Sequence, residues 1–222
     1  MNSPTRSVPP APPTPTAPRR GPGRPPRRVD GRLETREALI RRGIEVLTEK
    51  GFAATGIDEV LRAVGVPKGS FYHYFESKEA FGHALIDHYA GYFARKLDRC
   101  FLDDRVLPLA RVQAFVDDAC AGMARHGFRR GCLIGNLGQE MAVLPEAYRE
   151  RLEAVFNDWQ ARLAACLCAA RESGEVAARA DCDALAAFFW IGWEGAVLRA
   201  KLVRADGPLR HFARHFLDGL PR

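Results

Sequence analysis

Between Pro67 and Lys78 the sequence sets a cation, a small residue and a hydroxyl (Lys68, Gly69, Ser70) just ahead of Tyr72, His73 and Tyr74, with a second cation, Lys78, closing the run. Side chains of these types hold phosphate oxygens and read base edges, so contact with nucleic acid is the chemistry they can do. On spacing alone, Tyr72, His73 and Tyr74 fit an aromatic patch buried between helices equally well. Upstream, Arg19 to Arg28 contains Gly23-Arg24-Pro25. An extended Arg-Pro segment of this kind can lie in a narrow minor groove through Arg24, or it can be a solvated linker.

A second group of residues suits a different chemistry. Cys132 follows Arg129 and Arg130 and is predicted at the start of a helix, where amide dipoles and positive charge favour a thiolate able to add to an electron-poor alkene. The alternative is a small apolar core residue, because free cysteine is among the most buried types. Asn136, Gln139, Glu140, Trp190, Trp193 and Glu194 mix polar ends with aromatic walls, as small-ligand pockets do. Trp190 and Trp193, three residues apart, suit a core or an interface as well, and Glu194 inside an apolar helix needs a partner. No Ser/His/Asp order, phosphate-cradling glycine loop or zinc signature accompanies these residues, so neither an enzyme nor a cofactor or metal is expected. Cys166 and Cys168 stand two apart on a predicted helix and point to different faces, which argues against a shared metal.

These groups need a scaffold, and the periodicity supplies one. Of the 15 prolines, 10 fall within the first 26 residues, and the first 32 residues carry seven arginines against one acid, Asp30. Residues 1–32 are therefore expected to be a disordered, basic arm on an otherwise neutral body. From Leu33 onward apolar residues return at three- and four-residue spacing without sustained alternation, which predicts an all-α fold. A first helix is expected over Thr35 to Lys50, ended by Gly51, with Phe52 folding back onto its face. Thr55 is expected to cap a second helix that runs to about Val64. Gly65-Val66-Pro67 then makes a tight turn into a short third helix over Lys68 to Tyr74, giving a helix-turn-helix. Ser77 opens the next long helix, to about Cys100. Further helices are expected over Pro108 to His126, Cys132 to Met141, Pro145 to Ser173, Asp181 to Arg204 and Pro208 to Leu217. The most apolar stretch, Ala184 to Trp193, is far shorter than the roughly 20 residues that span a membrane. Six scattered cysteines and the lack of a secretory start are read as free thiols in a reducing cytoplasm.

The run Gly51-Phe52, Thr55, Ile57-Asp58-Glu59-Val60, Ala63, Gly65-Val66, Lys68-Gly69-Ser70, Phe71 to Phe75 and Ser77-Lys78-Glu79 resembles the N-terminal signature of the TetR family of regulators. The resemblance implies a helix-turn-helix DNA-binding domain over 33–80 and a helical ligand-binding and dimerisation domain over 81–222. It also implies a homodimer on double-stranded operator DNA, with a small-molecule inducer. Carried over by position, Lys68, Gly69, Ser70, Tyr72 and His73 face the DNA, while Thr55, Tyr74 and Lys78 hold phosphates. Gly127 to Met141 and Phe189 to Lys201 are similar to the acrylate-responsive AcuR-type branch, which implies repression of genes for acrylate breakdown. Gly131-Cys132-Leu133 and Ala200-Lys201 also resemble regulators of reactive electrophiles, which brings Lys201 into the ligand set beside its other reading as a helix-end surface charge. The readings left open are a reversible sensor of another carboxylate or aromatic ligand, a nucleoid-type DNA-binding protein without ligand, and an enzyme on acryloyl compounds.

Overall fold

The computed structural model describes residues 29–222, and Arg24 with most of the expected arm lies outside them. Among the described residues there are helices and no strands: α1 (Val29–Lys50), α2 (Ile57–Val64), a 3₁₀ helix (Lys68–His73), α3 (Lys78–Phe101), α4 (Pro108–Arg125), α5 (Leu133–Gln139), α6 (Ala147–Glu172), α7 (Cys182–Val203) and α8 (Gly207–Asp218). The first helix starts at Val29, ahead of the Thr35 start read from the sequence and inside the segment assigned to the arm. Its first turns are not proline-rich, so nothing local stops the helix there.

The stops and starts follow from backbone chemistry. Gly51 and Gly65 adopt φ of 82° and 70°, the left-handed conformation that ends α1 and α2 at little steric cost. Ser77 caps α3 by accepting from the Ala80 amide at 2.9 Å, and Asp181 caps α7 by accepting from Ala184 at 3.0 Å. Thr55 departs from its expected role: Gly56 occupies the cap position of α2, and the Thr55 hydroxyl instead donates to the Gly51 carbonyl at 2.6 Å. The helix-end carbonyl is buried and needs a donor, which outweighs capping the exposed start of α2.

Two packed bodies share α3. The N-terminal body buries Leu39, Ile40, Leu47, Val60, Leu61 and Phe71. Gly43 lets α1 meet α3 closely, since a Cβ there would fall 2.7 Å from Phe81 Cζ. Phe52 does turn inward, but its ring meets Tyr148 of α6 edge-on at 5.8 Å, so it joins the two bodies. The larger body is built on an aromatic core in which Trp159 and Trp190 lie 5.1 Å apart and Phe115 meets Trp193 at 5.3 Å. Helix α7 buries one face and exposes another, with Phe188 60%, Ile191 75% and Leu202 70% accessible. Among the described residues no helix is long and apolar enough to cross a membrane, and no His/Cys/Asp/Glu group could hold a metal.

Candidate functional site

The first candidate surface is the 3₁₀ helix Lys68–His73. Phe71 is its anchor, 3% exposed and packed at 5.6 and 5.7 Å on Phe75 and Phe81. Anchoring one ring leaves its neighbours outside: Tyr72 is 72% exposed, Lys68, Gly69 and His73 are exposed, and Ser70 and Tyr74 are half-buried. Tyr72 and His73 therefore do not form the buried patch that spacing allowed. Lys68 Nζ meets Asp58 at 2.8 Å in an exposed pair, and such pairs are weak enough to be exchanged for a phosphate. Arg32 donates to the His73 carbonyl, tying the first turns of α1 to the end of this segment. Lys78 Nζ lies 4.4 Å over the Phe52 ring. Thr55 is removed from the side-chain contacts: it is 6% exposed and its hydroxyl is spent on Gly51.

The second candidate is a cavity of about 250 Å³ between α1, α3, α4 and α7, walled by Tyr89, Phe93, Cys132, Trp193 and Glu194 among others. Lys96, Arg125, His126 and Arg130 reach its lining and supply the cationic and imidazole groups there. Cys132 precedes α5, and its sulfur accepts from the Gly135 amide at 3.4 Å. The Tyr89 and Glu194 side chains lie beside the thiol. The expected thiolate is not what the fold creates. Burial pushes the Cys132 thiol well above its usual value, and the nearby Glu194 carboxylate pushes the same way. Arg130, which the sequence placed beside it, turns to Glu49 at 3.2 Å and Glu45 at 3.7 Å instead.

Glu194 is half-buried, with its carboxyl end turned inward, and burial raises it to about 7. It can approach Cys132 because residue 135 is glycine: a Cβ there would lie 2.0 Å from Glu194 Oε2. Tyr89 is likewise pushed well above its usual range by burial.

Apart from Gln139, which is exposed and donates from Nε2 to the Gly135 carbonyl at 3.4 Å, four expected ligand residues stand elsewhere. Asn136 donates from Nδ2 to the Leu47 and Thr48 carbonyls, both at 3.1 Å. Glu140 accepts from the Phe52 and Ala53 amides at 2.9 and 2.7 Å. Lys201 Nζ reaches the Thr48 carbonyl at 3.4 Å with its stem against Gly131, and burial lowers its ammonium from the usual value. Trp190, 2% exposed, is core, and its indole N–H finds no acceptor among the described residues. The first three share one physical cause: the end of α1 leaves main-chain carbonyls and amides that need partners. Together with the Gly131 amide, 3.1 Å from the Thr48 carbonyl, they make a joint between the two bodies. Cys132 sits inside that joint.

An exposed short helix behind a glycine turn, carried on a three-helix unit that a larger helical body grips, defines a helix-turn-helix DNA-binding regulator. Residues 39–85 match the family described as bacterial regulatory proteins, tetR family, and residues 108–216 match the tetracyclin repressor-like C-terminal domain. The chain is 55% identical over 205 residues to the transcriptional regulator AcuR of Cereibacter sphaeroides, spanning 92% of each protein. It is 33% identical over 189 residues to the HTH-type transcriptional repressor DhaR of a Mycobacterium species, spanning 85% of this chain and 93% of that one. Among solved structures, a regulatory protein TetR from Rhodobacter sphaeroides superposes with a TM-score of 0.82 at 55% identity, covering 84% of this chain and 98% of the other. The reduced form of NemR from E. coli superposes at 0.77 with 30% identity, covering 84% and 97%. The chain belongs to the TetR family of transcriptional regulators. It is a regulator and not an enzyme, as are these relatives.

Proposed function

We propose that the protein is a homodimeric repressor that leaves its operator when acrylate, or a related small electrophile, occupies the cavity beside Cys132. The observation that carries this reading is the position of that cavity: its wall contains the residue immediately before α5, the helix that holds the end of α1. A volume of about 250 Å³ is below the roughly 300 Å³ at which drug-sized pockets begin, and suits a ligand of a few heavy atoms. Arg125, together with Lys96 and Arg130 once they exchange their present partners Asp118, Glu45 and Glu49, gives a carboxylate its partners, and the aromatic walls give an alkene an apolar surface. A ligand that fits only when α5 shifts favours the state in which the joint is altered, and only such differential affinity can release DNA.

The dimer is proposed from α7. Phe188, Ile191, Gly195, Leu198 and Leu202 repeat at three- and four-residue spacing on its exposed face, the pattern of a helix–helix seam. Two copies of α7, flanked by α8, then form the bundle that sets the separation of the two recognition segments.

One observation favours a covalent form of sensing. Glu194, raised to about 7, stands against the protonated thiol and can accept its proton. Sulfur then bonds to the β-carbon, the alkene electrons move toward the carboxylate, and a proton returned to the α-carbon leaves a saturated thioether. The test is a gel-shift titration on the DNA upstream of the protein's own gene, with and without acrylate, in wild type and Cys132→Ser. Release in wild type alone supports addition to the thiol. Equal release in both supports reversible occupancy, and no release in either overturns the acrylate reading.

A further inference from the structure

Away from the cavity, the corner where α6 passes into α7 brings two cysteines together. Cys168 lies in the last turns of α6 and is half-buried; Cys182 is the first residue of α7 and is 3% exposed. Their thiols are close enough to interact electrostatically. Arg171 brackets them: Nη2 donates to Cys168 Sγ at 3.7 Å, while Nη1 donates to the Ala180 carbonyl at 3.0 Å, the same carbonyl that lies 4.0 Å from Cys182 Sγ. Cys166 takes no part, since it faces the other way and donates to the Pro108 carbonyl at 3.4 Å.

We propose that Cys168 and Cys182 are a modification site, a dithiol that hydroperoxides oxidise to an internal disulfide. Cys168 is the more accessible sulfur and the one that the Arg171 guanidinium approaches, which makes it the attacking group. Burial and the neighbouring sulfur push the Cys182 thiol up to about 11, so it serves as the protonated second partner. The Cys168 thiolate attacks one peroxide oxygen, the O–O bond breaks, and the departing oxygen takes up a proton, leaving a sulfenic acid. Cys182 sulfur then attacks Cys168 sulfur as its own proton goes to the departing hydroxyl. In total one hydroperoxide is reduced by two electrons to water plus an alcohol, or to two waters from hydrogen peroxide, and two thiols become one disulfide. The link ties the end of α6 to the start of α7, the helix that carries Trp193 and Glu194 into the cavity wall.

The test uses the full-length reduced protein treated with hydrogen peroxide, alkylated, and digested with trypsin. The expected product joins the peptide of residues 163–171 to that of residues 180–199, and thiol titration under denaturing conditions falls from six to four. Running the experiment in Cys132→Ser removes the cavity thiol from the count, so the result does not depend on how the ligand is sensed. The link is lost in Cys168→Ser and Cys182→Ser and kept in Cys166→Ser, while Arg171→Gln slows its formation. A link that survives Cys168→Ser, or oxidation of Cys168 to sulfinic acid with Cys182 still free, overturns the proposal. Circular dichroism of each variant before oxidation separates a folding defect from a missing thiol.

Discussion

Replacing Glu140 by alanine tests the joint directly. Its carboxylate holds the Phe52 amide at 2.9 Å and the Ala53 amide at 2.7 Å. Hydrogen bonds to a charged acceptor contribute about 1.5–3 kcal/mol each when water cannot replace them. Ala53 is exposed and regains water, whereas the bond at Phe52 is partly buried, so the expected loss is about 2 kcal/mol. For a chain of this length that lowers Tm by about 4–8 °C. If the joint transmits occupancy of the cavity, the same loss reduces by up to about 30-fold the factor by which ligand weakens operator binding. Glu140→Gln keeps one carbonyl acceptor and is expected to fall between the two. The assays are thermal unfolding by circular dichroism and operator titration by fluorescence anisotropy at several acrylate concentrations. A lowered Tm with an undiminished ligand effect refutes the claim that the joint carries the signal; an unchanged Tm refutes the bonds themselves.

Three further outcomes are expected. Lys68→Ala weakens operator binding and reduces the slope of log affinity against log salt by about 0.9, the share of one neutralised phosphate; an unchanged slope places Lys68 off the backbone. Folded Glu194 keeps its proton to about 7 whereas an ordinary carboxyl releases it near 4.5. The folded state thus binds more protons between those values, and stability falls as pH rises through that window. Glu194→Gln should abolish that fall in thermal melts taken across it, and a melt series indistinguishable from wild type contradicts the burial of the carboxyl. Ile191→Glu, at a position 75% exposed in the single chain, is expected to yield a monomer in analytical ultracentrifugation, and a persisting dimer rules out the α7 seam.

What the sequence made legible was largely local. Gly51, Gly65, Ser77, Pro108 and Asp181 mark helix ends because their conformational and capping preferences act within a few residues, and the observed ends fall where they stand. Thr55 misled because two backbone groups competed for one hydroxyl, and the buried carbonyl won. Asn136 and Glu140 carried the right polarity for a pocket, but their partners are main-chain atoms 87 to 89 residues away, which no spacing rule reaches. Cys132 shows a conflict of terms: the neighbouring arginines argued for a thiolate, whereas burial and Glu194, 62 positions downstream, set the opposite protonation. Tyr89, 43 positions upstream of Cys132, carried no signal of its own in the sequence, and only the fold sets it in the same cavity wall.

The joint described at the end of α1 has a consequence for exchange between proteins. Asn136, Lys201, Glu140 and the Gly131 amide take hold of main-chain atoms of residues 47, 48, 52 and 53. Main-chain atoms are the same whatever side chains flank them. Residue 51 is the exception, since φ of 82° and a Cβ position 2.0 Å from Glu140 Oε1 both demand glycine. A reading head with a different operator preference can therefore be grafted onto this sensor with little redesign of the contact between them, provided it keeps that glycine, the Phe52 ring that meets Tyr148, and the Glu45 and Glu49 that Arg130 grips. The architecture is that of a portable receiver, in which the address on DNA and the signal it answers to can be changed separately.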